Sequence, residues 1–192
     1  MTFRSVRVKY LGSIIAVNGG VEADVNHRVN EGCKALGALK KVMKNRSLEM
    51  NVKKVLYERV VVPTATYGSE LWGMKASDRR RLNVFEMKCL RSMTGVSLRD
   101  RIRNEEVRRR VGIEKDLAAR VDMNVLRWYG HVERMDGERM VKRVVNSSAE
   151  GRNTRGRQRI GWMDGVKKAL NDRGMDLKEA SELTYECLPM NI

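Results

Sequence analysis

A chain of 192 residues that is 42% hydrophobic can bury a core in one or two domains, which excludes wholesale disorder. Its formal net charge of +15 points to a polyanionic partner, nucleic acid first and an anionic membrane surface second, because each phosphate neutralised releases condensed counterions. No apolar run approaches the roughly 18 residues of a membrane-spanning helix, and no apolar signal core follows the charged first residues. Cys33, Cys89 and Cys187 are odd in number and far apart, as suits a reducing compartment, and with only His27 and His131 and no CxxC pair no zinc site is expected.

In chain order, residues 6–17 are rich in β-branched side chains that alternate partly with charge, and Asn18-Gly19-Gly20 supplies a turn. This predicts a strand or short hairpin. The rest reads as helix. Val25, Val29, Leu36, Leu39 and Met43 recur at helical spacing over about 22–45. Ser47 is a candidate N-cap for a helix carrying Leu48, Val52, Val55 and Leu56 on one face, which Pro63 should end or kink. Ser77 or Asp78 can cap a helix with Leu82, Phe85, Cys89 and Met93 on its apolar side, stopped by Gly95. Asn104, Glu105 and Glu106 suit the positive start of a short helix that Gly112 closes. Leu117, Val121, Val125, Trp128, Val132 and Met135 form a long apolar stripe, and a further helix spans about 138–146.

Residues 147–161 combine two serines, three glycines and four arginines, and read as a linker. Two short helices follow, one with Trp162, Val166 and Leu170, the other opened by Asp176 with Glu179 as its capping-box partner. With two prolines and mostly short gaps, a helical bundle is the simplest architecture.

The basic residues carry the binding argument. Arg79-Arg80-Arg81 and Arg108-Arg109-Arg110 fall on predicted helices, where three consecutive residues spread over about 200°, so not all can face one ligand. A solvated charged face and a polyanion-binding face both remain open for them. Arg152, Arg155, Arg157 and Arg159 have little opposing charge and glycines between them, which favours contact with a phosphate chain. Trp128 and Trp162 sit on apolar stripes and are expected in the core. Tyr129 lies off the stripe and is the better candidate for stacking on a base. His131 beside the stripe reads as a packed or hydrogen-bonded imidazole. Tyr10-Leu11-Gly12 alone reads as a strand with one close backbone approach.

Chemistry is harder to find. Metal-dependent phosphoryl transfer needs paired carboxylates holding two ions about 4 Å apart. The sequence contains no Asp-Asp dipeptide, no Walker-type glycine loop and no GxSxG elbow.

Three segments occur in a telling order: Tyr67-Gly68-Ser69-Glu70-Leu71-Trp72, then Arg127-Trp128-Tyr129-Gly130-His131-Val132-Glu133-Arg134-Met135, then the glycine/arginine stretch from Glu150 to Trp162. Together they resemble the region after the catalytic palm in reverse transcriptases of non-LTR (LINE-like) retrotransposons. Lys9-Tyr10-Leu11-Gly12-Ser13-Ile14-Ile15 is similar to the family segment just downstream of the catalytic aspartates. Phe85-Glu86-Met87-Lys88-Cys89-Leu90-Arg91 and Arg101-Ile102-Arg103-Asn104-Glu105-Glu106-Val107 resemble further family segments. The resemblance runs from about residue 8 to about residue 185, and its specificity lies in order and spacing.

The resemblance implies a mostly α fold: a palm-end strand or hairpin over 1–20, a helical thumb-like domain over 21–146, a basic linker over 147–161 and a short helical segment over 162–192. It also implies that the fingers, most of the palm and the metal-binding aspartates of the parent RNA-directed DNA polymerase lie upstream of this sequence. The final residues, 186–192, do not continue the basic, tryptophan-containing ending of the family. The chain is therefore expected to be a catalytically incomplete fragment, with no catalytic residue, no metal ligand and no cofactor, since the ligands for the parent enzyme's Mg are absent. Its implied role is non-specific binding of RNA, DNA or an RNA–DNA hybrid, with Tyr10, Leu11 and Gly12 as a primer-grip-like element and Arg152, Arg155, Arg157 and Arg159 as backbone contacts. No membrane partner is expected, and an intracellular location follows, with basic runs that permit import into the nucleus. The rival readings are a small basic helical nucleic-acid-binding host protein and an inactive interaction fragment with exposed apolar surface.

Overall fold

The computed structural model describes residues 7–16, 19–147 and 160–180. The fold is mostly helical, with a short N-terminal hairpin, as the sequence predicts. Strands β1 (Arg7–Tyr10) and β2 (Ser13–Ala16) pair antiparallel, with Val8 opposite Ile15 and Tyr10 opposite Ser13. The hairpin turns at Leu11-Gly12, and Gly19 donates to the Ala16 carbonyl at the end of β2.

The chain divides into two compact units. The first comprises Met1–Gly68 and Met74–Val121, the second Ser69–Gly73 and Asp122–Ile192. The division falls inside one long helix, which carries an apolar stripe to either side of it.

In the first unit, the predicted 22–45 helix is two helices, α1 (Glu22–Ala38) and α2 (Lys40–Lys44). They meet at Leu39, directly after Gly37-Ala38, where the poor helix former weakens the run. Helix α3 (Met50–Leu56) has Glu49 at its N-cap position, with no side-chain cap bond, and not Ser47, whose N–H bonds Asn45 Oδ1 at 2.9 Å. The apolar face expected for it packs only in part: Leu48 and Leu56 are half-buried and Val52 and Val55 exposed, while Lys53 is buried and donates to the Met93 carbonyl at 3.3 Å. Its long aliphatic stem fills the core, and its charge suits the negative end of a helix.

A π-helical turn, Tyr57–Val61, leads into α4 (Val62–Ala65), so the chain stays helical through Pro63. The widened turn before the proline absorbs the bond that its missing N–H cannot make. A 19-residue helix, α5 (Ala76–Thr94), follows. The N-cap position is Lys75 and not Ser77 or Asp78, which lie inside the first turn; Asp78, at the third helical position, accepts the Lys75 N–H at 3.1 Å, and Gly95 ends the helix with φ +67°. Helix α6 (Asn104–Val111) opens on Glu105 and Glu106 and closes at Gly112 (φ +71°). The core gathers Val25, Tyr57, Val61, Leu82, Phe85, Leu90, Met93 and Val107, all 2% exposed or less. Helix α7 (Leu117–Glu133) begins here.

The second unit holds the rest of α7, then α8 (Met140–Asn146) and α9 (Trp162–Asn171). Asp164 accepts the Gly161 N–H at 2.8 Å to start α9. Asp176 and Glu179 form the predicted reciprocal capping box, at 3.0 and 2.8 Å. Among the described residues, no helix is long and apolar enough to cross a membrane.

Candidate nucleic-acid interface

Tyr10, Leu11 and Gly12 lie together at the tip of the hairpin, with Tyr10 and Leu11 exposed. Leu11 has φ +45° and Gly12 φ +87°, the two positive values that a tight two-residue hairpin turn needs. Glycine meets this at no cost. For leucine it is a strained conformation, held at an exposed position. Beneath the turn, α1 carries Arg28, whose guanidinium lies 4.4 Å over the ring of Tyr67. A Cβ at position 12 would sit 3.0 Å from Arg28 Nη2. Arg28 is buried, and its Nε and Nη2 have no hydrogen-bond partner among the described residues. Asp24 tethers β2 by accepting the Ile14 N–H at 2.8 Å.

The second unit treats its aromatics differently from the expectation. Tyr129 is buried at 5% exposure, its ring centroid 6.4 Å from that of Trp162, so it is not available to stack on a base. Trp128 is only half-buried and its ring lies 5.3 Å from His131. Residues 128 and 129 flank the stripe drawn from Val125, and a small rotation of the helix exchanges them. Trp162 is half-buried and donates its indole N–H to the Glu70 carbonyl at 2.8 Å. Arg152, Arg155, Arg157 and Arg159 lie outside the described residues.

The first unit carries a groove of about 1520 Å³, lined from α2, α3, α5, α6 and the segments that follow α2 and α5. Its walls carry eight cationic side chains and a single carboxylate, Glu105. Lys44 and Arg46 come from the end of α2, Lys53 from α3, Arg108 from α6, and Arg79, Arg80, Lys88 and Arg91 from α5. The groove also carries apolar groups, among them Val84 and Leu98 at 65% and 80% exposure.

Not all of these charges are available. Arg108 is paired with the fully buried Glu86 at 2.6 Å. Arg91 donates to the Ser97 and Ile102 carbonyls and to Asn104 Oδ1 at 3.2, 2.7 and 3.1 Å, fastening the segment that follows α5. Lys53 is spent on Met93. Lys44, Arg46 and Arg80 are exposed and make no ion pair or hydrogen bond among the described residues; Lys88 makes only a 3.7 Å contact to Cys33 Sγ. These four are free to neutralise phosphate. Three arginines of the two triplets belong instead to a solvated, charge-paired face: Arg81 pairs with Glu22 at 3.0 Å, and Arg109 and Arg110 both pair with Glu106 at 2.8 and 2.9 Å. Those two guanidiniums hold the Glu106 carboxyl down at about 2.

Sequence reading missed Lys44, Arg46 and Lys88 altogether. A usable signal exists on α5, where Arg80, Val84, Met87, Lys88 and Arg91 recur at helical spacing on one face. Among the described residues, no three His, Cys, Asp or Glu side chains are grouped to hold a metal ion.

Comparison with curated proteins finds a likeness to an uncharacterized transposon-derived protein of Caenorhabditis elegans, 25% identical over 174 residues. The match covers 87% of this chain and 61% of the length of that relative. No family model matches the sequence, and no solved structure matches it.

Proposed function

We propose that the chain derives from a transposon and is the nucleic-acid-gripping part of a non-LTR-type reverse transcriptase, holding phosphate backbones without reading base sequence. The observation that carries this reading is the groove with eight cations against one carboxylate. Three further points support it: the net charge of +15, the likeness to a transposon-derived protein, and the ordered segments that resemble that enzyme family. The proposed role is binding, with the chemistry of strand synthesis belonging to carboxylates that this sequence does not supply. The hairpin tip and Arg152, Arg155, Arg157 and Arg159 are proposed as additional contacts.

The test is fluorescence anisotropy with a labelled RNA–DNA hybrid across a salt series, on the wild type and on a variant with Lys44, Arg46, Arg80 and Lys88 changed to Glu. If four groove cations each neutralise one phosphate, they contribute about −3.6 to the slope of log K against log salt on a duplex. The charge-reversed variant should lose at least that share of the slope and bind weakly. Binding that ignores salt, or a variant that binds like the wild type, defeats the reading of the groove.

A further inference from the structure

We propose that the groove of the first unit takes single-stranded nucleic acid in preference to duplex, seating unpaired bases on its apolar groups while its free cations hold the flanking phosphates. This rests on the nucleic-acid reading above and narrows it to one substrate class.

Arg80, Val84, Met87 and Lys88 lie on one face of α5 in the order cation, apolar, apolar, cation, with about 12 Å of helix rise between the two charges. A surface built only for phosphates would have no use for an exposed valine between its cations. The groove is also lined by Leu98, at 80% exposure the most exposed of the large apolar residues described in the chain. It is not on a loose loop. Ser97 N–H and Oγ both donate to Asp100 Oδ2, at 2.7 and 3.0 Å, and Arg91 anchors the backbone on either side at Ser97 and Ile102. The fold thus commits an arginine and a capping aspartate to hold a leucine out towards solvent beside a cationic wall.

Charge complementarity selects a polyanion for this groove. The apolar pair then decides between the forms of that polyanion. In a duplex the base faces are stacked on each other, and only phosphates, sugars and base edges reach a protein. Val84 and Leu98 would be covered by polar backbone, with no apolar contact in return. In a single strand the bases can splay out, and each offers an apolar face as well as a phosphate. Among the described residues no aromatic side chain lines the groove, so the bases meet aliphatic groups, and sequence preference should be slight.

The experiment is an anisotropy titration of the full chain with one labelled 12-nucleotide DNA, presented as a single strand and as a duplex with its complement. The variants are Val84→Ser with Leu98→Ser, and Arg80→Glu with Lys88→Glu. All four residues are exposed or at the groove surface, and a thermal melt checks that each variant folds. The expected result is a preference of about tenfold for the single strand in the wild type. The serine variant should lose that preference by weakening single-strand binding alone, and the glutamate variant should weaken both forms. Equal affinity for the two forms overturns the inference and leaves the broader reading standing, as does a preference that survives in the serine variant. Failure to bind either form at low salt removes the broader reading and this inference with it.

Discussion

The guanidinium carbon of Arg28 lies 4.4 Å from the centroid of the Tyr67 ring, and the hairpin turn approaches the same guanidinium at Gly12. The turn has therefore two independent demands on position 12: a φ of +87° and no Cβ in the path of Arg28 Nη2. Replacing Gly12 by Ala should cost about 1–2 kcal/mol. Leu11→Asn should act in the other direction, gaining up to about 1 kcal/mol, because asparagine tolerates the left-handed region that leucine occupies at φ +45°. Arg28→Met keeps the volume and removes a buried charge that makes no ion pair among the described residues, so its stability should stay close to wild type or rise. Urea melts of the three variants check this; an Arg28→Met protein far less stable than Gly12→Ala would contradict the packing described.

The second prediction concerns Glu86, fully buried on α5 and bonded to Arg108 at 2.6 Å. Burial pushes its carboxyl above the ordinary carboxylate range, and the hydrogen bond and charge of Arg108 recover only part of the shift. A carboxyl with a raised folded value binds its proton more tightly in the native state than in the unfolded chain. Its contribution to stability is therefore greatest at low pH and falls as pH rises from the unfolded value, about 4.3, through the raised one. Arg108→Met strips the compensation and should cost about 3–5 kcal/mol at pH 8. The loss should shrink as the pH is lowered towards 5, because protonation removes the unpaired buried charge. Adding Glu86→Gln to Arg108→Met should flatten that pH dependence; a deficit that is the same at both pH values would show that Glu86 is not its source.

Thiol reactivity separates the two described cysteines. Cys89 is buried in the core, and burial pushes its thiol up to about 12. Burial keeps that thiol protonated at pH 8 and out of the reagent's reach. Cys33 is half-exposed on α1. In a Cys187→Ser background, N-ethylmaleimide should modify one site in the native chain, Cys33, and a second only after denaturation. Equal rates at both sites in the native protein would mean that α5 is not packed as described.

What the sequence made legible follows from which forces are local. Gly95 and Gly112 stop their helices because the left-handed cap is a property of a single residue, and the Asp176–Glu179 box spans four. Position on a stripe is a weaker inference. Trp128 and Tyr129 both lie near the apolar side of α7, and tertiary packing buries the tyrosine against Trp162. The groove is less legible still. Arg80 and Lys88 share one face of α5 and Lys44 joins them from another helix, but a shared face does not tell a free cation from Arg81, Arg109 and Arg110, which carboxylates neutralise. Which cations are free depends on where the acidic residues fall in space. The same holds for Lys53, which helical periodicity places outside the core and the structure places inside it.

Gly32 gives the sharpest separation between sequence rule and structure. It lies in the middle of α1, where replacing glycine by alanine ordinarily favours a helix by about 1 kcal/mol. Here the added methyl would sit 2.6 Å from Phe85 Cζ and 2.9 Å from Ala65 Cβ, at the crossing of α1 with α4 and α5. Neither contact is the end of a flexible chain: the phenyl ring is 2% exposed, and the alanine methyl is fixed to its backbone. Overpacking of this kind costs about 1–3 kcal/mol, which exceeds the gain in helix propensity. Gly32→Ala should therefore lower the melting temperature, and Gly32→Ala with Phe85→Leu should be less damaging than the sum of the two single changes, since the smaller side chain makes room for the methyl. A stabilised Gly32→Ala protein would place α1 further from α5 than the structure does. Strict additivity in the double variant would show that residues 32 and 85 do not share the contact.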